Sequence, residues 1–338
     1  MIFLLTFVST LFISYLIIRS KAMLAAENLR GSHTGNIATS GGLAIFIPFA
    51  YTAIYFNNSF DLHLVLLLGL ITFLGFIDDI LDLSHFIRIS IQILLSIIFA
   101  ATYLSNDIID ILITSFFIIY VINSLNFFDG IDLLVSSQMI FIFISLLLLI
   151  YTASGISTEF SMSLIFIMLA CISSLIGFSL FNYPPATLFL GSSGTYFLGF
   201  LLSIIFAILI YNQTISIYTC LILYSVPMVD TSIAIITRFF CKFKNEISKN
   251  EIFIKSIYHA LKRIILIPHS LHNYQIMSRK YKSHLKSTLL ITILNIIWCL
   301  PLAMMSHFYS EYSIIALIVA IIPYVFICIY NKTGIEKY

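Results

Sequence analysis

Asp78 and Asp79 stand side by side, and Asn126, Asp129 and Asp132 recur at three-residue spacing, in a chain with only 15 Asp and Glu among 338 residues. Adjacent carboxylates repel unless they share a cation or a proton, so such acids suit Mg²⁺ with phosphate, or a base of raised pKa. If each group is helical, Asp82 falls beneath Asp78 and Asp79, and Asn126, Asp129 and Asp132 lie near one face. Gly191-Ser192-Ser193-Gly194 opens a long apolar run, and backbone N–H groups at a helix start form a cradle for an anion. His269 and His272 lie three apart in a basic segment that continues through Tyr274, Gln275 and Ser283-His284. Without a third ligand they suit donation to a phosphate or base better than a zinc site. Arg30, Gly31, Ser32, His33 and Thr34 form a polar, basic loop that re-enters an apolar run at Gly41-Gly42.

The elements that must position these groups are membrane helices. Hydrophobic residues make up 60% of the chain and charged residues 9%, whereas soluble proteins run at about 25% charged. Continuous apolar runs of about 20 residues indicate helical spans, not the alternating segments of a β-barrel. The expected architecture is an all-α, polytopic integral membrane protein with about eleven spans, near 2–18, 41–56, 62–77, 89–104, 107–122, 138–151, 161–180, 195–211, 215–230, 288–306 and 313–330. With the N-terminus outside, all 17 Lys and Arg fall in linkers on one side, the positive-inside pattern, which places those linkers and the C-terminus in the cytoplasm. The acids then sit at or near the cytoplasmic edge, with Pro227 and Asp230 closing the ninth span.

The first run is read as a retained helix, because Arg19 and Lys21 follow it instead of preceding it. The chain shows no internal repeat, so 1–338 reads as one transmembrane domain. The long linker 231–287 carries eleven basic residues, and over 252–265 its spacing predicts a basic amphipathic helix at headgroup level. The five cysteines are scattered, with no metal or disulfide spacing. Nothing points to nucleic acid.

Taken in order, these segments resemble the polyprenyl-phosphate N-acetylhexosamine-1-phosphate transferases, a glycosyltransferase family 4 type that also contains the phospho-N-acetylmuramoyl-pentapeptide transferase. The resemblance is carried by Arg30 to Thr34 with Gly41-Gly42, Asp78-Asp79 followed by Arg88 and Gln92, and Asn126-Phe127-Phe128-Asp129-Gly130-Ile131-Asp132. It continues through Asn182, Pro185-Ala186, Gly191-x-x-Gly194 and Pro227-x-x-Asp230. His269-x-x-His272-x-Tyr274-Gln275 with Ser283-His284 is similar to the O-antigen-initiating branch.

The resemblance implies transfer of a sugar-1-phosphate from a UDP-N-acetylhexosamine to undecaprenyl phosphate in the bacterial inner membrane, with Mg²⁺ or Mn²⁺. It implies Asp78, Asp79, Asp129 and Asp132 as catalytic and metal-binding residues. Arg30, His33, Asn126, Asn182, Gly191, Ser192, Ser193, Gly194, Asp230, His269, His272, Tyr274 and Gln275 would hold substrate. Two positions depart from the family pattern: Ser192 replaces an Asp that ligates the metal, and Leu133 replaces a Gly. A catalytically impaired relative that still binds polyprenyl phosphate or nucleotide is therefore an alternative. An ion-coupled transporter fits less well, since its acids belong near mid-span. A homodimer is allowed by the sequence but not signalled in it.

Overall fold

The computed structural model describes residues 2–20, 37–56, 61–154, 159–247 and 270–335, with positions 255, 257 and 259. Arg30, His33, His269 and nearly all of the expected basic helix lie outside the described residues. Among the described residues the chain is all-α, and a parallel bridge between Ala38 and Leu188 stands alone. The helices are α1 (Ile2–Ser20), α2 (Gly41–Phe56), α3 (Leu62–Leu81), α4 (His85–Tyr103), α5 (Ile108–Phe128), α6 (Leu134–Ser154), α7 (Glu159–Asn182) and α8 (Gly191–Tyr211). They continue with α9 (Ile217–Leu223), α10 (Ser225–Ile247), α11 (Asn273–Tyr281), α12 (His284–Leu294), α13 (Leu300–Phe308) and α14 (Ser313–Tyr330). A π-helical turn, Asn295–Cys299, joins α12 to α13.

Nine described segments are long and apolar enough to cross a membrane. With the bent α9–α10 pair and the shorter α2, they account for every expected span. The ninth span is the exception to straightness: α9 and α10 meet at 76°. Pro227 explains the break, because a proline cannot donate to the carbonyl four residues earlier and its ring crowds that carbonyl. That carbonyl belongs to Leu223, and it accepts instead from Gln138 Nε2 at 3.4 Å. Gln138 Oε1 also accepts from Asn295 Nδ2 at 2.6 Å, in the π-helical turn just before Pro301. One buried amide thus bridges two interruptions in neighbouring spans.

The central post is α8, which packs against α2, α3 and α5 and is buried along nearly its whole length. Small residues permit that crowding, as they do in membrane helix pairs generally. A Cβ on Gly42 would overlap the backbone of Ser193 and Gly194, and one on Gly75 would overlap Ser192 and Ser193. Gly42→Ala should therefore cost about 3 kcal/mol and lower the unfolding midpoint in detergent by roughly 6 °C. A midpoint within about 1 °C of wild type would show that this packing is not tight.

Candidate active site

The acid-bearing segments meet at one end of the helix bundle, and the neighbours Asp78 and Asp79 face different partners there. Asp78 is buried in an ion pair with Arg88 at 2.9 Å. Its carboxylate also accepts from Tyr196 Oη at 3.0 Å and the Leu83 N–H at 3.1 Å. Both oxygens are thus engaged in joining α3, α4 and α8. Asp79 points the other way, onto the start of α8, where it accepts from the N–H groups of Ser192 at 2.6 Å and Ser193 at 3.2 Å. Ser40 Oγ donates to it at 3.1 Å. The expected anion cradle therefore exists, but Asp79 fills it. Gly191 makes the approach possible, with φ of +74° and a position where a Cβ would strike Asp79 and Thr39. Asp82 does not join its neighbours; it is the exposed left-handed cap of α3.

Nor do Asn126, Asp129 and Asp132 share one helical face. Helix α5 ends at Phe128, Asp129 caps it with non-helical φ and ψ, and the chain then turns through Leu133 at φ +63°. Leucine is strained in this left-handed region, where glycine is not. Asn182 holds the turn: its Oδ1 accepts from the Leu133 N–H at 2.8 Å and its Nδ2 donates to the Leu188 carbonyl at 2.9 Å. The Ala186 N–H donates to Asp132 Oδ2 at 3.3 Å, and His284 Nδ1 lies 3.2 Å from the same oxygen. Asn126 Oδ1 accepts from Thr195 Oγ1 at 3.1 Å, tying α5 to α8.

Asp129 differs from all of these, because its carboxylate takes no hydrogen bond from any described residue. Burial first, then the charges of Asp79 and Asp132, push its pKa up to about 8. Tyr274, His272 and Gln275 lie over this turn. Tyr274 Oη donates to the Phe127 carbonyl at 2.8 Å, the His272 ring stacks on Phe127, and a Cβ on Gly130 would strike Tyr274 and Gln275. Burial, then the charges of Asp230 and Asp129, hold the Tyr274 hydroxyl well above its ordinary pKa.

Five of the expected substrate-binding residues have other work: Ser193 is buried, its N–H donating to Asp79 and its hydroxyl to the Leu190 carbonyl, and the buried Tyr274 donates its hydroxyl to the Phe127 carbonyl. Asn182 is buried, with both ends of its amide engaged. Gly194 packs against Gly42. Asp230 is 0% exposed and enclosed by four donors. Conversely, Ser40, Thr195, Tyr196 and Tyr324 take part in the site's framework without having been expected there. Ser40 is flagged only by its place before a glycine pair; the other three sit inside apolar runs.

A cleft between α5 and α10 runs along Phe116, Ile119, Tyr120, Asn123 and Phe127 on one helix, faced by Thr231 and Ile235 on the other. It follows α5 for about 16 Å and stops two residues short of Asp129. The family model for glycosyl transferase family 4 matches residues 61–210, from the start of α3 to the last turn of α8. Over that stretch the chain is similar to the family. The match covers the segments of Asp78, Asp79, Asp129, Asp132 and Ser192, whereas α10, α11 and the histidine segment lie beyond it.

Among similar proteins, a probable undecaprenyl-phosphate N-acetylglucosaminyl 1-phosphate transferase from Bacillus subtilis is 28% identical over 62% of this chain and 62% of its own. The undecaprenyl-phosphate alpha-N-acetylglucosaminyl 1-phosphate transferase of Thermotoga maritima is 31% identical, over 52% of this chain and 53% of its own. A phospho-N-acetylmuramoyl-pentapeptide-transferase from Streptococcus pneumoniae is 29% identical over 49% and 58%. The chain thus spans between half and two thirds of the length of these relatives. Asp78, Asp79, Asp129 and Asp132 lie at helix ends, whereas Asp230 does not close the ninth span as expected but sits inside α10, which runs on to Ile247.

Proposed function

We propose that this chain is a family 4 glycosyl transferase that transfers N-acetylhexosamine-1-phosphate from a UDP-sugar to undecaprenyl phosphate, releasing UMP and initiating a cell-envelope polysaccharide. Asp129 carries the reading: an unpartnered, half-buried carboxylate beside two other acids, at the head of an apolar cleft that suits an isoprenoid chain. The reaction belongs on the cytoplasmic side of the inner membrane, with the start of α1 outside, because every Lys and Arg is expected on the side of the acids.

The chemistry joins two anions. An oxygen of the lipid phosphate forms a bond to the sugar-bearing phosphorus, and the bond from that phosphorus to UMP breaks, its electron pair leaving on UMP. A phosphate monoester has its second pKa near 6, so the attacking oxygen is already largely deprotonated at pH 7 and needs no general base. The protein's task is orientation and charge. The cleft aligns the lipid tail with α5, Asp79 fixes the start of α8, and the α11 segment closes over the Asp129–Gly130 turn.

The donor set fits a divalent cation in one specific way. Among the described residues no three His, Cys, Asp or Glu side chains could hold an ion unaided. Mg²⁺, however, is commonly bound by one or two carboxylates with substrate phosphates completing its shell. Asp129 would hold it, with Asp79 and Asp132 nearby, whereas Asp78 has no oxygen to spare. When bound, the ion would neutralise the diphosphate.

Ser192 favours a second reading. Its hydroxyl makes no hydrogen bond with a described residue and brings no charge, so the chain could bind polyprenyl phosphate or nucleotide without turnover. Purified full-length chain in nanodiscs, given labelled UDP-sugars and undecaprenyl phosphate with and without Mg²⁺, separates the two. Mg²⁺-dependent lipid-linked product with a UDP-N-acetylhexosamine is expected. No product with any UDP-sugar, followed by product from Ser192→Asp, would establish the second reading.

A further inference from the structure

We propose that Asp230 is a positioning residue that sets the α11 segment over the Asp129–Gly130 turn; its activity readout rests on the transferase reading above. Asp230 belongs to α10 and has no exposed surface, so it cannot touch a substrate. Its Oδ1 accepts from His272 Nδ1 at 2.9 Å and the Asn273 N–H at 3.2 Å. Its Oδ2 accepts from the Tyr274 N–H at 3.2 Å and Tyr324 Oη at 2.8 Å. One carboxylate therefore caps the start of α11, holds the imidazole of His272 by one nitrogen, and joins both to the last span.

A buried carboxylate is costly unless fully hydrogen-bonded, and here four donors meet it. The result is directional. With the first turn of α11 clamped, the His272 ring lies between Phe127 and Tyr274, stacked on both. Tyr274 reaches the Phe127 carbonyl, and Tyr274 and Gln275 close on Gly130. The opposite side of α11 is held by residues after α14: Asn331 Nδ2 donates to Asn273 Oδ1 at 2.8 Å, and the Gly334 N–H donates to the Leu271 carbonyl at 3.0 Å. The histidine-bearing segment is thus aimed at the acids from behind, by α10 and the end of the chain.

A positioning role differs from a merely structural one in what it changes. Folded Asp230→Asn, in nanodiscs, should lose about 10–100-fold in kcat with KM for the UDP-sugar within about twofold, since the loss falls on the transition state. Tyr324→Phe, which keeps the carboxylate and removes one donor, gives a variant that folds even if Asp230→Asn does not, and should lose kcat in the same sense. The double variant Asp230→Asn/His272→Gln should be no slower than His272→Gln alone, because the two act through one another. Wild-type kcat in folded Asp230→Asn and Tyr324→Phe, or independent losses that multiply in the double variant, would overturn the proposal. A wild-type chain that transfers nothing defeats the transferase reading instead. The proposal is then decided by ¹⁵N-histidine spectra: the His272 Nδ1 signal, identified by its loss in His272→Gln, should shift in Asp230→Asn, and an unshifted signal overturns it.

Discussion

Asp129→Asn should give a protein that is harder to unfold than wild type at pH 9 and that transfers sugar phosphate about a thousandfold more slowly. The sign of the stability change follows from linkage. Burial and the charges of Asp79 and Asp132 raise the Asp129 pKa from the ordinary 3.8 to about 8 in the folded protein. Folding therefore favours the protonated acid, so the side chain opposes folding increasingly as pH rises from the ordinary 3.8 to about 8, and fully above it. Asparagine cannot ionise and escapes the penalty. The difference between variant and wild type should be largest near pH 9 without Mg²⁺, shrink toward pH 5, and shrink again when Mg²⁺ is added to the wild type. Thermal unfolding at several pH values, with and without 10 mM-scale Mg²⁺, measures it. An Asp129→Asn midpoint that tracks wild type across this range would show that the three acids do not repel in the folded chain, and the case for a cation there would fall with it.

That prediction could not have been drawn from the sequence, although Asp129 was conspicuous in it. The spans were legible because a bilayer demands long apolar helices, and all eleven apolar runs coincide with helical segments. The bend at Tyr224 was hidden because the run through 215–230 stays apolar; Pro227 marked it, but only the orphaned Leu223 carbonyl and its Gln138 partner show how the break is tolerated. Asp78 and Asp79 look equivalent in sequence. Consecutive residues on a helix point about 100° apart, so one meets Arg88 and Tyr196 while the other meets α8. Asp230 offered even less, since its donors lie 42 to 94 residues away, beyond the reach of any local pattern. Sequence types located the acids at one end of the bundle; the packing of α8 decided which of them remained unpaired.

Replacing Asp79 should have the opposite stability signature. Its carboxylate accepts the N–H groups of Ser192 and Ser193 and the Ser40 hydroxyl, and the residue before α8, Leu190, supplies no side-chain cap. Asp79→Ala leaves two helix-start N–H groups without their acceptor in a tightly packed corner. An unsatisfied buried donor costs about 1–3 kcal/mol, and two are left here. The variant should unfold at least roughly 6 °C below wild type, at pH 6 as well as at pH 9. Asp79→Asn retains an acceptor for Ser192 but turns an amide N–H toward the donor at Ser193, so its loss should be smaller and of the same sign. Both should also be slow, about a hundredfold, because Ser192 and Ser193 no longer have a fixed place beside Asp129. The pair of signs separates the two acids: an Asp79→Ala protein as stable as wild type would mean that the start of α8 is not held by this carboxylate, and that Asp79, like Asp129, is available to a ligand.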